Sequence, residues 1–143
     1  MILTAEVHRL VARTRVGRLA TADEHGAPHV IPICFALSGD TAYSVLDLKP
    51  KRAAAMKLRR VRNIVANPRA ALLLDGYDED WSRLWYVLLR GVASIVRRGP
   101  ERRWALTLLR SKYPQYAAMN LTDRPVIRVH ILRVVTWGKP GRL

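Results

Sequence analysis

Cys34 is the only cysteine among the 143 residues, which excludes an internal disulfide and any zinc or iron–sulfur centre built from several thiolates of one chain. Set in an apolar run, it reads as a small core residue. No apolar stretch approaches the ~20 residues that span a bilayer, and the N-terminus lacks the basic-then-apolar order of a secretory signal. The chain is therefore expected to be soluble and cytoplasmic, with no membrane partner. The Gly-rich phosphate loops GxxxxGK(S/T) and GxGxxG are missing, as is the GxSxG nucleophile elbow. A bound phosphate would have to be held by side chains. Nor do the histidines form a metal set. Gly26 and Pro28 exclude the helix that would bring His25 and His29 to one face, and His8 and His130 stand alone.

Acidic residues are scarce: 11 Asp and Glu stand against 25 Lys and Arg, for a net charge of +14. That sign favours anionic partners and says little about fold. The imbalance is local. No acid occurs between Asp47 and Asp75, whereas Asp75, Asp78, Glu79 and Asp80 cluster just beyond. Within the acid-free interval the stretch Leu48 to Pro68 carries Lys49, Lys51, Arg52, Lys57, Arg59, Arg60 and Arg62. Pro50 allows a turn out of a preceding strand, the Ala run favours helix, and Asn67-Pro68 stops it. A solvated basic helix face would account for such a run as well as an anion site. Its position after a strand and across a proline favours the site, with Lys49, Lys51 and Arg52 converging with Arg59 and Arg60 on one anion.

The remaining pattern gives the scaffold. Thr4 caps a helix bearing Val7, Leu10 and Val11 on one stripe. Val16 to Thr21 and Pro28 to Leu37 read as a hairpin around Asp23-Glu24-His25-Gly26. Pro32 lacks a backbone donor, so the second strand is expected at an edge or irregular there; the histidines read as surface or strand residues, with His29, just before Pro32, the one that could face a ligand. Further strands are expected over Thr41 to Leu46, Ala70 to Leu74, Arg83 to Val96 with a bend at Gly91, and Val126 to Val135. Pro100 starts a helix with Trp104, Leu108 and Leu109 on one face. Trp81, Trp85 and Tyr86, with Tyr77, suit a core or a dimer interface better than ring stacking. About six strands and three helices, mostly consecutive strand pairs with helices between, predict one α+β domain over residues 1–143 with an antiparallel barrel or sheet.

The segments GRLATADEHGAPHVIPICFAL, DLKPKR and LRRVRNIVANPRAALLLDGYDEDWSRLWYVLLRGVASIV resemble the pyridoxamine 5′-phosphate oxidase-like proteins of split β-barrel fold, and more narrowly their F420-dependent class. The resemblance implies a homodimer with the cofactor in a cleft between subunits. It implies that Lys49, Lys51, Arg52, Arg59 and Arg60 meet the cofactor's phosphate or tail, and that the strand from His29 through Val30, Ile31 and Pro32 to Ile33 borders its ring. The Arg-x-x-x-Leu-Lys phosphate motif of the FMN-dependent oxidases is absent from HVIPICF. Coenzyme F420 is therefore the expected cofactor, with FMN the alternative. The expected activity is hydride transfer from reduced F420 to an organic acceptor. The rivals are an FMN-binding protein or F420 carrier without turnover, and a basic nucleic-acid-binding module; nucleic acid is not the expected partner.

Overall fold

The computed structural model describes residues 1–47 and 55–138. In chain order these residues form α1 (Ala5–Arg13), β1 (Gly17–Ala22), β2 (Pro28–Ile33), β3 (Ala36–Ser38), β4 (Thr41–Val45), α2 (Arg59–Ala66), β5 (Arg69–Gly76), a 3-10 turn at Trp81–Arg83, β6 (Trp85–Val96), α3 (Pro100–Lys112), α4 (Pro114–Ala117) and β7 (Val126–Gly138). Thr4 caps α1 as its sequence predicts, its hydroxyl accepting from the Val7 N–H at 3.2 Å.

All pairings are antiparallel, in the order β2-β1-β5-β6-β7-β4-β3. The strand expected over Pro28 to Leu37 is two strands, and they lie at opposite edges of this sheet. Laid flat, the edges would be roughly 29 Å apart, from six interstrand steps of ~4.8 Å. Ile33 and Ala36 are separated by three peptide steps, about 11 Å at most. The sheet must therefore curl until its edges approach, while no ladder joins β2 to β3. The result is a split β-barrel with a seam. Pro32 sits on the edge strand β2, where a missing N–H costs no ladder bond on the open side.

Leu19, Leu72, Leu89, Ile127 and Ile131 are fully or almost fully buried inside the barrel, joined by Val11 of α1 and by Val61 and Ile64 of α2. The α2 helix is thus not a solvated basic rod. It buries Val61, Asn63 and Ile64 and exposes Arg59, Arg62 and Val65. The Asn63 amide donates to the Thr21 hydroxyl at 3.1 Å in the interior, fastening α2 to β1. A second cluster lies under α3, whose buried face is Ala105, Leu106 and Leu109. Of the expected face, Leu109 is buried and Leu108 packs against the cluster, but Trp104 does not belong to it. Trp104 is 50% exposed, with its indole N–H donating to Ser38 Oγ at 3.2 Å. Small Ala105 permits the close approach that the indole would block.

The end of α3 latches the seam. The Tyr113 hydroxyl accepts from the Phe35 N–H at 3.0 Å and lies within donating distance of the Arg15 carbonyl at 2.8 Å. Beside it, the Lys112 ammonium donates to the Thr14 carbonyl at 2.8 Å and sits 3.9 Å from the Phe35 ring centroid. Burial, and then the neighbouring Arg15 charge, pull this ammonium from 10.5 down to about 8. Between those two values the unfolded chain binds the proton that the folded chain has lost, so stability rises with pH across the interval. Denaturant midpoints measured from about pH 7.5 to 10 should climb for the native protein and stay flat for Lys112→Met. A flat native profile would mean that the Phe35 ring and the Thr14 carbonyl keep Lys112 charged. The window closes near pH 10, where burial of the Tyr113 phenol acts with the opposite sign.

Candidate functional site at the barrel seam

A cavity of about 420 Å³ opens along the seam, between the end of β2 and the end of β4. Its apolar wall is Val16, Ile31, Pro32 and Ile33; its polar side is Ser44, Asp47, Arg60 and Tyr116, and Cys34 adjoins them. The alternation of β2 sets the isoleucine part of this wall, and Pro32, on the strand's exposed face, borders the cavity as well. His29, Ile31 and Ile33 are half-buried on one face, whereas Val30 is 59% exposed on the other.

Arg60 reaches the cavity from the first turn of α2. Its Nε is buried and makes no hydrogen bond among the described residues. Desolvation pulls the guanidinium below its usual basicity, and the nearby Asp47 charge opposes this. Asp47 follows β4 and accepts a hydrogen bond of 2.7 Å from the Tyr116 hydroxyl of α4. Burial first, and then that bond to Asp47, push the Tyr116 phenol upward, so it keeps its proton. The polar side therefore offers an unsatisfied cationic donor and a fixed carboxylate, with an apolar wall opposite. A buried donor without a partner costs stability. Such a group is retained where a ligand supplies the missing acceptor.

Of the residues singled out from sequence, Ile31, Pro32, Ile33 and Arg60 are brought together here. His29 shares their strand face, and its buried Nδ1 also lacks a partner among the described residues. Val30 points away. Arg59 is exposed, and its field reaches Asp23 in the β1–β2 turn, so it does not join Arg60. Lys49, Lys51 and Arg52 lie outside the described residues. Asp47, Tyr116, Ser44 and Val16 are members that sequence reasoning does not select. Asp47 carries one signal, as the last acid before the acid-free interval; Tyr116 carries none, since it meets Asp47 only through the fold.

A larger hollow of about 610 Å³ lies over β1, β5, β6 and β7, bordered by Thr21, Arg69, Arg90, Val92, Leu132 and Arg133. Its surface is mostly apolar, with Arg69, Arg90 and Arg133 among the residues that border it. Nearby, Tyr86 and Trp137 stack with centroids 5.9 Å apart, and Trp137 and Leu132 are 53% and 55% exposed. Trp81 lies in the 3-10 turn and Trp85 begins β6, so the two do not share a helical turn. Among the described residues no three His, Cys, Asp or Glu side chains could hold a metal ion. No helix among them is long and apolar enough to cross a membrane.

A family model described as pyridoxamine 5′-phosphate oxidase matches residues 3–138. The chain is similar to a 5a,11a-dehydrotetracycline/5a,11a-dehydrooxytetracycline reductase of Streptomyces rimosus subsp. rimosus, at 29% identity over 89% of this chain and 77% of the relative. Among solved structures it resembles a heme binding protein from Mycobacterium smegmatis, with a TM-score of 0.73 and 24% identity. That match covers 94% of this chain and 53% of the other, so the chain spans about half the length of that protein. It also resembles a structure named F420 reductase, with a TM-score of 0.66 and 24% identity over 93% of this chain and 98% of the other. At these identities the structural matches establish the split-barrel fold.

Proposed function

We propose, on the premise that the chain belongs to the pyridoxamine 5′-phosphate oxidase family, that it is an oxidoreductase that holds reduced coenzyme F420 at the barrel seam and reduces an unsaturated organic acceptor. The observation that carries this reading is the buried, unsatisfied Arg60 Nε beside an apolar wall of Val16, Ile31 and Ile33. These residues fit a cofactor that combines a flat ring with an anionic tail: the wall excludes water from the ring, and Arg60 supplies a charge-assisted donor to the phosphate. Reduced F420, when bound, supplies the hydride. The protein contributes orientation and electrostatics.

F420 is preferred to FMN on charge. Its phosphodiester and glutamate tail present several negative charges against one phosphate, and Lys49, Lys51 and Arg52, upstream of Arg60 in the sequence, offer the cations to match. The reductase from Streptomyces supports a reducing direction. We further propose that a second copy of the chain covers the face around Val92 and Leu132, where Leu132 is 55% exposed. The test is titration of the purified protein with F420, followed by the cofactor's fluorescence. FMN and haemin are run beside it, haemin because one structural neighbour is a heme binding protein. Saturable F420 binding, tighter than either, is expected. Tighter haemin binding would overturn the reading.

A further inference from the structure

Orientation of a ring and capture of a phosphate need no carboxylate, yet the seam holds one. Asp47 lines the same cavity as Arg60, close enough for its charge to act on the guanidinium, and no ion pair joins them. A carboxylate beside a phosphate site is repulsive unless something donates to it. Its orientation is also fixed, because Tyr116 holds Oδ2 at 2.7 Å, and Tyr116 is itself only 5% exposed. Among the described residues Oδ2 is the Asp47 oxygen that this bond engages, which leaves Oδ1 to accept from a ligand, and the buried Ser44 lines the same cavity. The polar side thus places an acceptor, Asp47, and a cationic donor, Arg60, along one cavity. A chain of hydroxyl groups satisfies both, since each hydroxyl both donates and accepts.

Resting on the cofactor reading, we infer that Asp47, positioned by Tyr116, is the acceptor for the hydroxylated chain that links the cofactor's ring to its phosphate, with Arg60 at the phosphate end and Ile31 and Ile33 at the ring. Asp47 then serves recognition by requiring hydroxyl donors beside the anion. An anionic ligand without them meets the carboxylate unshielded.

The experiment compares riboflavin with lumiflavin, which share the ring but differ in the polyol, on native protein, Asp47→Ala and Tyr116→Phe. Their 5-deaza counterparts are used if the native protein prefers F420. Asp47→Ala should weaken the polyol-bearing ligand about tenfold or more, as loss of a hydrogen bond to a charged group does. Lumiflavin should change less than about twofold, which also shows that the variant's site is intact. Tyr116→Phe should give a smaller loss of the same selectivity, since the carboxylate stays but is no longer held. Equal losses for both ligands would make Asp47 an anchor for α4 or a partner of the ring edge, and would overturn the inference. So would tighter binding of both by Asp47→Ala. Failure of the native protein to bind F420, FMN and riboflavin alike would defeat the cofactor reading itself, which separates that outcome from failure of the Asp47 assignment.

Discussion

Gly91→Ala should cost the fold at least about 3 kcal/mol, and Gly91→Val should yield little folded protein. The register of β6 against β7 shifts between Arg90 and Gly91, so the two strands pack backbone to backbone at the bend. A β-carbon at Gly91 would overlap the His130 carbonyl oxygen and crowd Ile131 Cα, both main-chain atoms that no rotamer change can move. Relief requires separating the longest ladder in the barrel. Gly26 provides the contrast. It has a φ of +85° in the β1–β2 turn, with nothing within 4 Å of the position a β-carbon would take. Gly26→Ala should therefore cost only about 1 kcal/mol of left-handed strain. Thermal melts of the two variants decide the matter: a Gly91→Ala midpoint at or above that of Gly26→Ala would mean that the bend accommodates a side chain.

The same bend is legible in the sequence, because a glycine inside a long β-leaning run weakens the strand and is kept there by a bulge or a close backbone approach. The capped first helix, the edge position of Pro32 and the alternation of Ile127, Val129 and Ile131 are legible too, each set by the local chemistry of a few residues. Which strands meet is not a local property. The break between β2 and β3 at Cys34-Phe35 looks like continuous apolar strand until the sheet order makes those residues cross a seam. The buried face of α3 departs from its sequence pattern for a related reason, since size suggests Trp104 where close packing selects Ala105. At the seam cavity, charge density points to the helix that lines it but not to which of its residues do so. Arg59 and Arg60 are adjacent in sequence and diverge by a helical step, one to solvent and one to the cavity. The pairing of Asp47 with Tyr116 spans 69 positions and depends on α4 reaching the residue that follows β4 closely, a contact that no periodicity announces.

Arg60→Met is expected to move stability and affinity in opposite directions. In the free protein the Arg60 Nε is buried without a partner among the described residues, and desolvation disfavours its charge. Methionine keeps an unbranched apolar stem and removes the unsatisfied donor, so the variant should be more stable by about 1–2 kcal/mol. The Tyr116–Asp47 hydrogen bond survives the change, because it is made without Arg60. Binding should suffer in the same variant. Loss of a charge-assisted donor to a phosphate should weaken FMN or F420 by roughly tenfold to a hundredfold, while riboflavin, which lacks the phosphate, changes little. Each half of the result constrains the other. Higher stability with unchanged affinity would make Arg60 a strained bystander, and lower stability would mean that the guanidinium is satisfied in the folded protein. A buried cation whose acceptor arrives only with the ligand should destabilise the empty site, and this substitution measures that cost and its purpose together.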